Sequence, residues 1–277
     1  MRNYDLKEEI RTHWSEQAGT FDDLPAHKIE DRYGLPEWQS MLRQALRLEV
    51  ADDLQGIEAL DIACGTGEIS KVLCSLGANV VGVDFAEPML EVARKKLKEQ
   101  AWKGLHADAE SLLVLDDNLF DIAITRHLCW TLVDPISAYA NWFRVLKPGG
   151  KLIVIDGNWS LSVSWWQRVC NWVAERIDIH ERPELTYSRQ HLKIVGRLPY
   201  SDGLSFQIIC RELTQAGFVE ISRFDLSSLY REGMRAWRLA DRLRQTSENR
   251  FGLVATKRVE HEGGYTSNSK ATLARNE

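Results

Sequence analysis

The stretch Ala59-Leu60-Asp61-Ile62-Ala63-Cys64-Gly65-Thr66-Gly67-Glu68 constrains the fold more than any other. An apolar run ends in a tight loop of small residues, and a helical pattern follows. Glycines at such a point let the backbone turn sharply and approach a ligand closely. The helix that opens there presents N–H groups without partners in the helix, able to hold an anionic or polar group. Asp84 lies 17 residues after Gly67, at the end of a second apolar run, Val80-Val81-Gly82-Val83. A carboxylate at that place is set to accept both ribose hydroxyls of a nucleoside. The two features together predict a nucleoside ligand on a parallel α/β sheet. A nicotinamide-binding version fails on detail, because Gly65-Thr66-Gly67-Glu68-Ile69-Ser70 lacks the third small Gly or Ala.

The surrounding pattern alternates strand and helix. Strands are expected at Ile57–Ile62, Asn79–Asp84, Gly104–His106, Phe120–Thr125 and Lys151–Asp156. Helices are expected at Glu68–Leu76, stopped by Gly77, at Pro88–Gln100, and at Pro135–Leu146. Such alternation implies a doubly wound parallel sheet with its ligand beyond the carboxyl ends of the strands. Before it, residues 1–50 read as a helical N-terminal cap, with Leu6, Ile10 and Trp14 at spacing four and Trp38, Met41, Leu42, Ala45 and Leu46 on a second face. After Asp156 the alternation breaks. A helix at Phe206–Ala216 and strands at Phe218–Leu226 and Phe251–Lys257 resume it. Residues 227–249 read as a helical link whose arginines, at helical spacing, are expected to be solvated. Residues 261–277 read as a flexible tail.

Five segments in register resemble the motifs of class I S-adenosylmethionine-dependent methyltransferases. Leu60–Gly67 is similar to their first motif and Val83–Leu90 to their acidic loop. Asp108-Ala109-Glu110 and Phe120–Ala123 resemble the third and fourth, and Arg144–Leu152 the turn before the fifth strand. One departure is visible: Ala63 stands where the family's first glycine is found, which predicts a slightly tighter loop. The resemblance implies a Rossmann-like, seven-stranded, mostly parallel sheet with an antiparallel last strand over residues 51–260. It also implies a lid insertion at 158–204 after the fifth strand, and S-adenosyl-L-methionine as cofactor. Carried over residue by residue, it gives Asp61, Ala63, Gly65, Thr66 and Gly67 to the loop around the methionine part, Asp84 to the ribose, Phe85 and Met89 to the adenine face, and Asp108 with Ala109 to the adenine amino group. Arg126 joins this set at the end of the fourth strand.

Thr125-Arg126-His127-Leu128-Cys129-Trp130 falls where the family places acceptor-facing residues. His127 is the candidate general base, by the pKa ordinary for its type; a structural role is the alternative. Trp14, Trp130 and Trp159 are candidates to wall the acceptor site or face a cationic centre, with plain packing as the alternative for each. Four of the ten tryptophans fall between Trp159 and Trp172. That density predicts a lid with Trp159 nearest the cofactor, or else a hydrophobic cover or a dimer surface.

Composition narrows the partners. The net charge is −5 with no dense Lys/Arg cluster, and the Asp/Asn-Pro-Pro-aromatic loop of the family's nucleic-acid amino methyltransferases is missing after the fourth strand. A polynucleotide acceptor is therefore not expected. Five scattered cysteines without Cys-x-x-Cys indicate neither zinc nor a disulfide framework, and fit a reduced, cytoplasmic setting. No run has the length of a bilayer span, so no membrane partner is expected. The expected function is methyl transfer to N, O or S of a small aromatic or apolar molecule. The alternatives are C-methylation of a quinone-like acceptor, transfer of another part of the cofactor, and a non-catalytic cofactor- or metabolite-binding protein; the partners expected are a small-molecule acceptor and a second copy of the chain.

Overall fold

The structure, a computed structural model, describes residues 2–23, 27–49, 53–158, 164–177, 193–246 and 248–259. Trp159 and residues 160–163 and 178–192 of the 158–204 insertion lie outside the described residues. Seven strands form one sheet: β1 (Glu58–Ile62), β2 (Asn79–Asp84), β3 (Trp102–His106), β4 (Phe120–Arg126), β5 (Leu146–Gly157), β6 (Phe218–Phe224) and β7 (Arg250–Lys257). Their spatial order is β3-β2-β1-β4-β5-β7-β6. The first five run parallel, and β7 is antiparallel to both of its neighbours. The helices are α1 (Arg2–Gln17), α2 (Gly34–Leu46), α3 (Glu68–Ser75), α4 (Glu87–Lys96), α5 (Pro135–Val145), α6 (Trp165–Ile177), α7 (Phe206–Gln215) and α8 (Leu239–Thr246).

Period-two alternation along the strands divides the core in two. Leu60 and Ile62, Leu152 and Val154, and Phe251, Leu253 and Ala255 face one side, against Tyr139 and Trp142 of α5 and Ile209 and Leu213 of α7. Ala59, Ile122, Ile124, Ile153 and Ile155 face the other, against Trp38, Met41 and Leu42 of α2 and Ile69, Val72 and Leu73 of α3. Trp142 is fully buried, and its indole N–H donates to the Ala109 carbonyl at 2.8 Å. A large apolar side chain buried in this way contributes roughly 1.5–3 kcal/mol, so both helical layers are held to the sheet by strand residues of alternating parity.

Two expectations are corrected at their edges. β5 begins at Leu146, because Leu146 already pairs with Phe120 ahead of a bulge. The link over 227–249 is helical only at Leu239–Thr246; 227–236 is turns. Gly233 explains part of this, since a Cβ there would stand 2.7 Å from the Leu229 carbonyl oxygen.

Candidate functional site

The parallel register aligns the carboxyl ends of the strands. Ile62 pairs with Val83 and with Thr125, and Asp84 with His106. The residues that follow β1, β2, β3 and β4 therefore meet along one edge, and the strand order reverses there between β1 and its neighbours β2 and β4. The loop after β1 holds three successive alternating residues in left-handed backbone: Ala63 (φ 56°), Gly65 (φ 53°) and Gly67 (φ 83°). Ala63 thus adopts the conformation of the glycine it stands for, at a cost of about 1–2 kcal/mol for an L-residue. Gly67 has a second constraint: a Cβ there would lie 2.8 Å from Leu97 and 3.2 Å from Ala93 Cβ, so helix packing requires glycine.

Asp84 ties this loop to β2. Its Oδ2 accepts from the Gly65 N–H at 2.9 Å and its Oδ1 from the Ala86 N–H at 2.8 Å. Each carboxylate oxygen keeps a second lone pair. Burial pushes its pKa up to about 6, against the pull of those two N–H groups. Asp61 is buried on the α3 side, where Oδ2 accepts from Ser70 Oγ at 2.7 Å. Burial raises its pKa to about 7, opposed by the Ser70 hydrogen bonds. Asp61 therefore acts on the start of α3.

The N-terminal cap meets the loop directly. Thr66 Oγ1 donates to Asp22 Oδ1 at 2.6 Å, and Lys96 Nζ lies 2.7 Å from Asp22 Oδ2. Glu68 Oε2 accepts from the Ile29 N–H at 2.7 Å, and Lys71 donates to the Ile29 carbonyl at 2.9 Å. Phe21 reaches the glycine loop, since a Cβ on Gly65 would sit 3.9 Å from its ring. Phe21 stacks on His27 at 3.9 Å and meets Trp14 edge-on at 6.1 Å. Met89, Phe85 and Ala86 pack with Trp14, Phe21 and Ala18. Aromatic cap, glycine loop and acidic loop are thus one assembly.

Asp108 lies beyond β3, with Oδ1 accepting from the Glu110 N–H at 2.9 Å and Oδ2 receiving Lys7 of α1 at 2.7 Å. The Ala109 carbonyl holds Trp142, as above. Arg126 runs under the cap: its guanidinium lies over the Trp38 ring at 5.0 Å and donates to the His27 carbonyl at 3.1 Å. The charges of Glu68 and Asp61, which flank the glycine loop, also act on it.

His127 has left-handed backbone (φ 58°), and its N–H donates to the Ile155 carbonyl at 2.9 Å. Trp130 Nε1 donates to the His127 carbonyl at 3.0 Å and closes this turn. Burial, then the charges of Arg126 and Arg250, drives the imidazole pKa well below 6.5. The ordinary histidine pKa assumed from the sequence is corrected here: the ring is neutral at physiological pH and a weak base.

Several residues at this edge escaped the sequence reading. Lys7 and Glu110 hold α1 to the loop after β3, Nζ and Oε2 being 2.7 Å apart. Glu110 also accepts from the Val133 N–H. Asp156, fully buried at the end of β5, accepts from the Cys129 N–H at 2.7 Å. Asp22 falls in the cap sequence Trp14–Asp22, but nothing local shows that it reaches Thr66. A separate cavity of about 260 Å³, lined by Arg47, Lys151 and Glu220 among others, opens at the opposite, amino end of β5.

A nucleoside with an adenine and two ribose hydroxyls offers donors, and Asp84 and Asp108 offer acceptors where the strands end. The donor set of S-adenosylmethionine therefore fits the residues present. Among the described residues no group of His, Cys, Asp and Glu is arranged to hold a metal ion, and no helix is long and apolar enough to cross a membrane.

Residues 60–154 match the family model of a methyltransferase domain. The chain is 39% identical over 102 residues to a demethylmenaquinone methyltransferase of Clavibacter sepedonicus, covering 36% of this chain and 41% of that protein. It is 29% identical over 184 residues to a ubiquinone biosynthesis O-methyltransferase of Idiomarina loihiensis, covering 62% and 69%. The chain spans about half the length of the first curated relatives it matches. Among solved structures, phosphoethanolamine N-methyltransferase 2 of Haemonchus contortus in complex with S-adenosyl-L-methionine superposes with a TM-score of 0.59 at 16% identity, covering 88% of this chain and 57% of that one. At that identity the likeness is one of fold.

Proposed function

Residues 60–154 are a class I S-adenosylmethionine-dependent methyltransferase domain, and on that premise we propose that the chain methylates a small, apolar, aromatic acceptor of the quinol class. The observation that carries the cofactor half is the Asp84–Gly65 bond: it fixes an acceptor-only carboxylate beside a glycine loop that lets a ligand approach. The acceptor half rests on the quinone-pathway names of the relatives.

When bound, the cofactor supplies an electrophilic methyl on a sulfonium. The protein's part is positioning and dryness. Asp84 would accept hydrogen bonds from the ribose hydroxyls, and Asp108 with the Ala109 backbone would take the adenine edge. Phe85 and Met89 would supply the apolar surface beside the adenine. Thr66 and the Ala63–Gly67 backbone set the methionine part, while Asp61 holds α3 in place through Ser70. Trp14 and Phe21 close the cap from above. His127 enters as a neutral imidazole. Its low basicity suits accepting a hydrogen bond from an acceptor hydroxyl better than storing its proton. Trp130 fixes the backbone that carries it. The insertion at 158–204, with Trp159, is proposed to cover the acceptor side.

The test is turnover. The chain is incubated with S-adenosylmethionine and a panel of substituted hydroquinones, catechols and amines, and S-adenosylhomocysteine release is followed. Release with hydroquinones or catechols, with the methylated atom read by NMR of the product, supports the reading. Release with amines alone, or with none while the cofactor binds, overturns it.

A further inference from the structure

Helix α6 is built the wrong way round for an ordinary surface helix. Its packed residues are the small Cys170 and Ala174, both buried, while its large apolar residues face solvent. Trp165 is 73% exposed, Trp166 54% and Trp172 53%, and Val169 and Ile177 are exposed with them. Trp165, Val169 and Trp172 recur at i, i+4 and i+7 and form one stripe, with Trp166 and Ile177 alongside. The stripe runs the length of a 13-residue helix, about 20 Å.

Charge identifies what such a face meets. α6 packs against α8, and the turns of 227–236 lead into that helix. Residues 165–177 and 227–246 together carry seven arginines and no lysine against three acidic residues, a net charge of +4 in a chain whose total is −5. Two of the three acids pair within the segment, Glu232 with Arg235 and Asp241 with Arg238 and Arg244, and the third, Glu175, is exposed on α6. Arg176 lies over the exposed Trp172 ring at 3.5 Å, which places a guanidinium at the level of the aromatic stripe. Leu239, at the start of α8, is exposed too. A second copy of the chain would bring one cationic surface against another. A row of tryptophans edged by arginines instead matches an interface that is apolar below and anionic above.

We propose that the outer face of α6 is a membrane-surface docking face, which lays Trp165, Trp166, Val169 and Trp172 into the headgroup boundary of an anionic bilayer while the arginines of α6 and of 227–246 meet lipid phosphates. The expectation of no membrane partner rested on the lack of a spanning run, which a helix lying in the interface does not need. This docking goes beyond the methyl-transfer reading and stands without it.

Co-flotation of the full chain with vesicles tests it. Vesicles of phosphatidylglycerol and phosphatidylcholine are expected to carry the chain up the gradient, with a blue shift of tryptophan emission. Pure phosphatidylcholine and high salt are expected to weaken binding on the order of ten-fold. Trp165→Ser with Trp166→Ser and Trp172→Ser is expected to abolish the blue shift and weaken flotation by at least about ten-fold. Arg168→Gln with Arg176→Gln is expected to keep the shift at high lipid and lose most of the salt dependence. All these side chains are exposed, and unchanged circular dichroism and S-adenosylhomocysteine binding check that the variants fold. The proposal is overturned by a chain that stays at the bottom of the gradient with anionic vesicles, or by a triple variant that floats as the parent does. It is equally overturned if the stripe drives dimerisation without lipid in light scattering, or binds single-stranded RNA in preference to vesicles.

Discussion

Lys7 Nζ lies 2.7 Å from Asp108 Oδ2, so the first helix of the chain is fastened to the loop proposed to read the adenine. Burial pulls the Lys7 pKa down, but the Asp108 and Glu110 carboxylates outweigh it and hold the ammonium charged. Both partners are about a third exposed, so the pair is screened and Lys7→Ala is expected to cost only about 0.5–1 kcal/mol of global stability. The larger effect is local: amide exchange over Arg2–Gln17 speeds up while that of β1 and β4 does not. Exchange mass spectrometry on parent and variant reads this. Equal acceleration throughout would make Lys7 a general stabiliser.

Asp84→Ala removes a buried charged acceptor, and S-adenosylhomocysteine affinity is expected to fall by roughly 1.5–3 kcal/mol in titration calorimetry. The parent carries a pH signature as well. With its pKa near 6, Asp84 is anionic at pH 7.5 and neutral at pH 5, so affinity weakens as pH falls through about 6. Asp84→Asn should bind weakly at both pH values and lose that slope. An unchanged slope in the Asn variant assigns the titration elsewhere.

His127 is expected to leave no inflection near pH 6.5 in the rate profile, because its folded pKa lies well below the ordinary value. Its signature is in stability. The unfolded imidazole takes a proton near pH 6.5 and the folded one resists, so the His127 contribution is intact above that pH and lost as pH falls below it. Urea melts of parent and His127→Gln at pH 7.5 and 5.5 should differ in their pH dependence, with the smaller drop in the variant. Equal drops would mean that the folded ring titrates normally.

Ala63→Gly is expected to be neutral or stabilising by up to about 1.6 kcal/mol. Relief of the left-handed strain, about 1–2 kcal/mol, exceeds the extra entropy of an unfolded glycine, about 0.4–1 kcal/mol. Urea midpoints decide it; a loss above 1 kcal/mol would show that the Ala63 methyl is needed for packing.

The sheet and the acidic loop were legible because their information is local. A strand of alternating parity, a glycine turn and Asp84 at a fixed distance all lie within thirty residues. The expected antiparallel last strand and two-sided helical layers are found as β7 and as the two cores. What remained hidden was set by pairing across the chain. Lys7 reaches a residue 101 positions away and Thr66 one 44 positions away, and no pattern in either neighbourhood marks its partner. Nor does periodicity say which stripe of a helix faces inward. The spacing of Trp165, Val169 and Trp172 fits burial as well as exposure, and only the packing of Cys170 and Ala174 decides it. His127 was given the pKa of its type because the neighbours that depress it, His27, Arg126 and Arg250, are mostly remote in sequence.

The cap made by α1, the turn Phe21–Asp23, the 27–33 segment and α2 has a consequence for biosynthesis. These residues leave the ribosome ahead of the sheet, and the groups they dock on, Thr66, Glu68, Lys96 and Asp108, are made 39 to 101 positions after their partners. Until the sheet exists the cap has little to pack against, and closing such loops costs entropy before any contact repays it. An earlier-made segment is thus the last to settle, and the cover over the glycine loop is hung after the sheet behind it has been built.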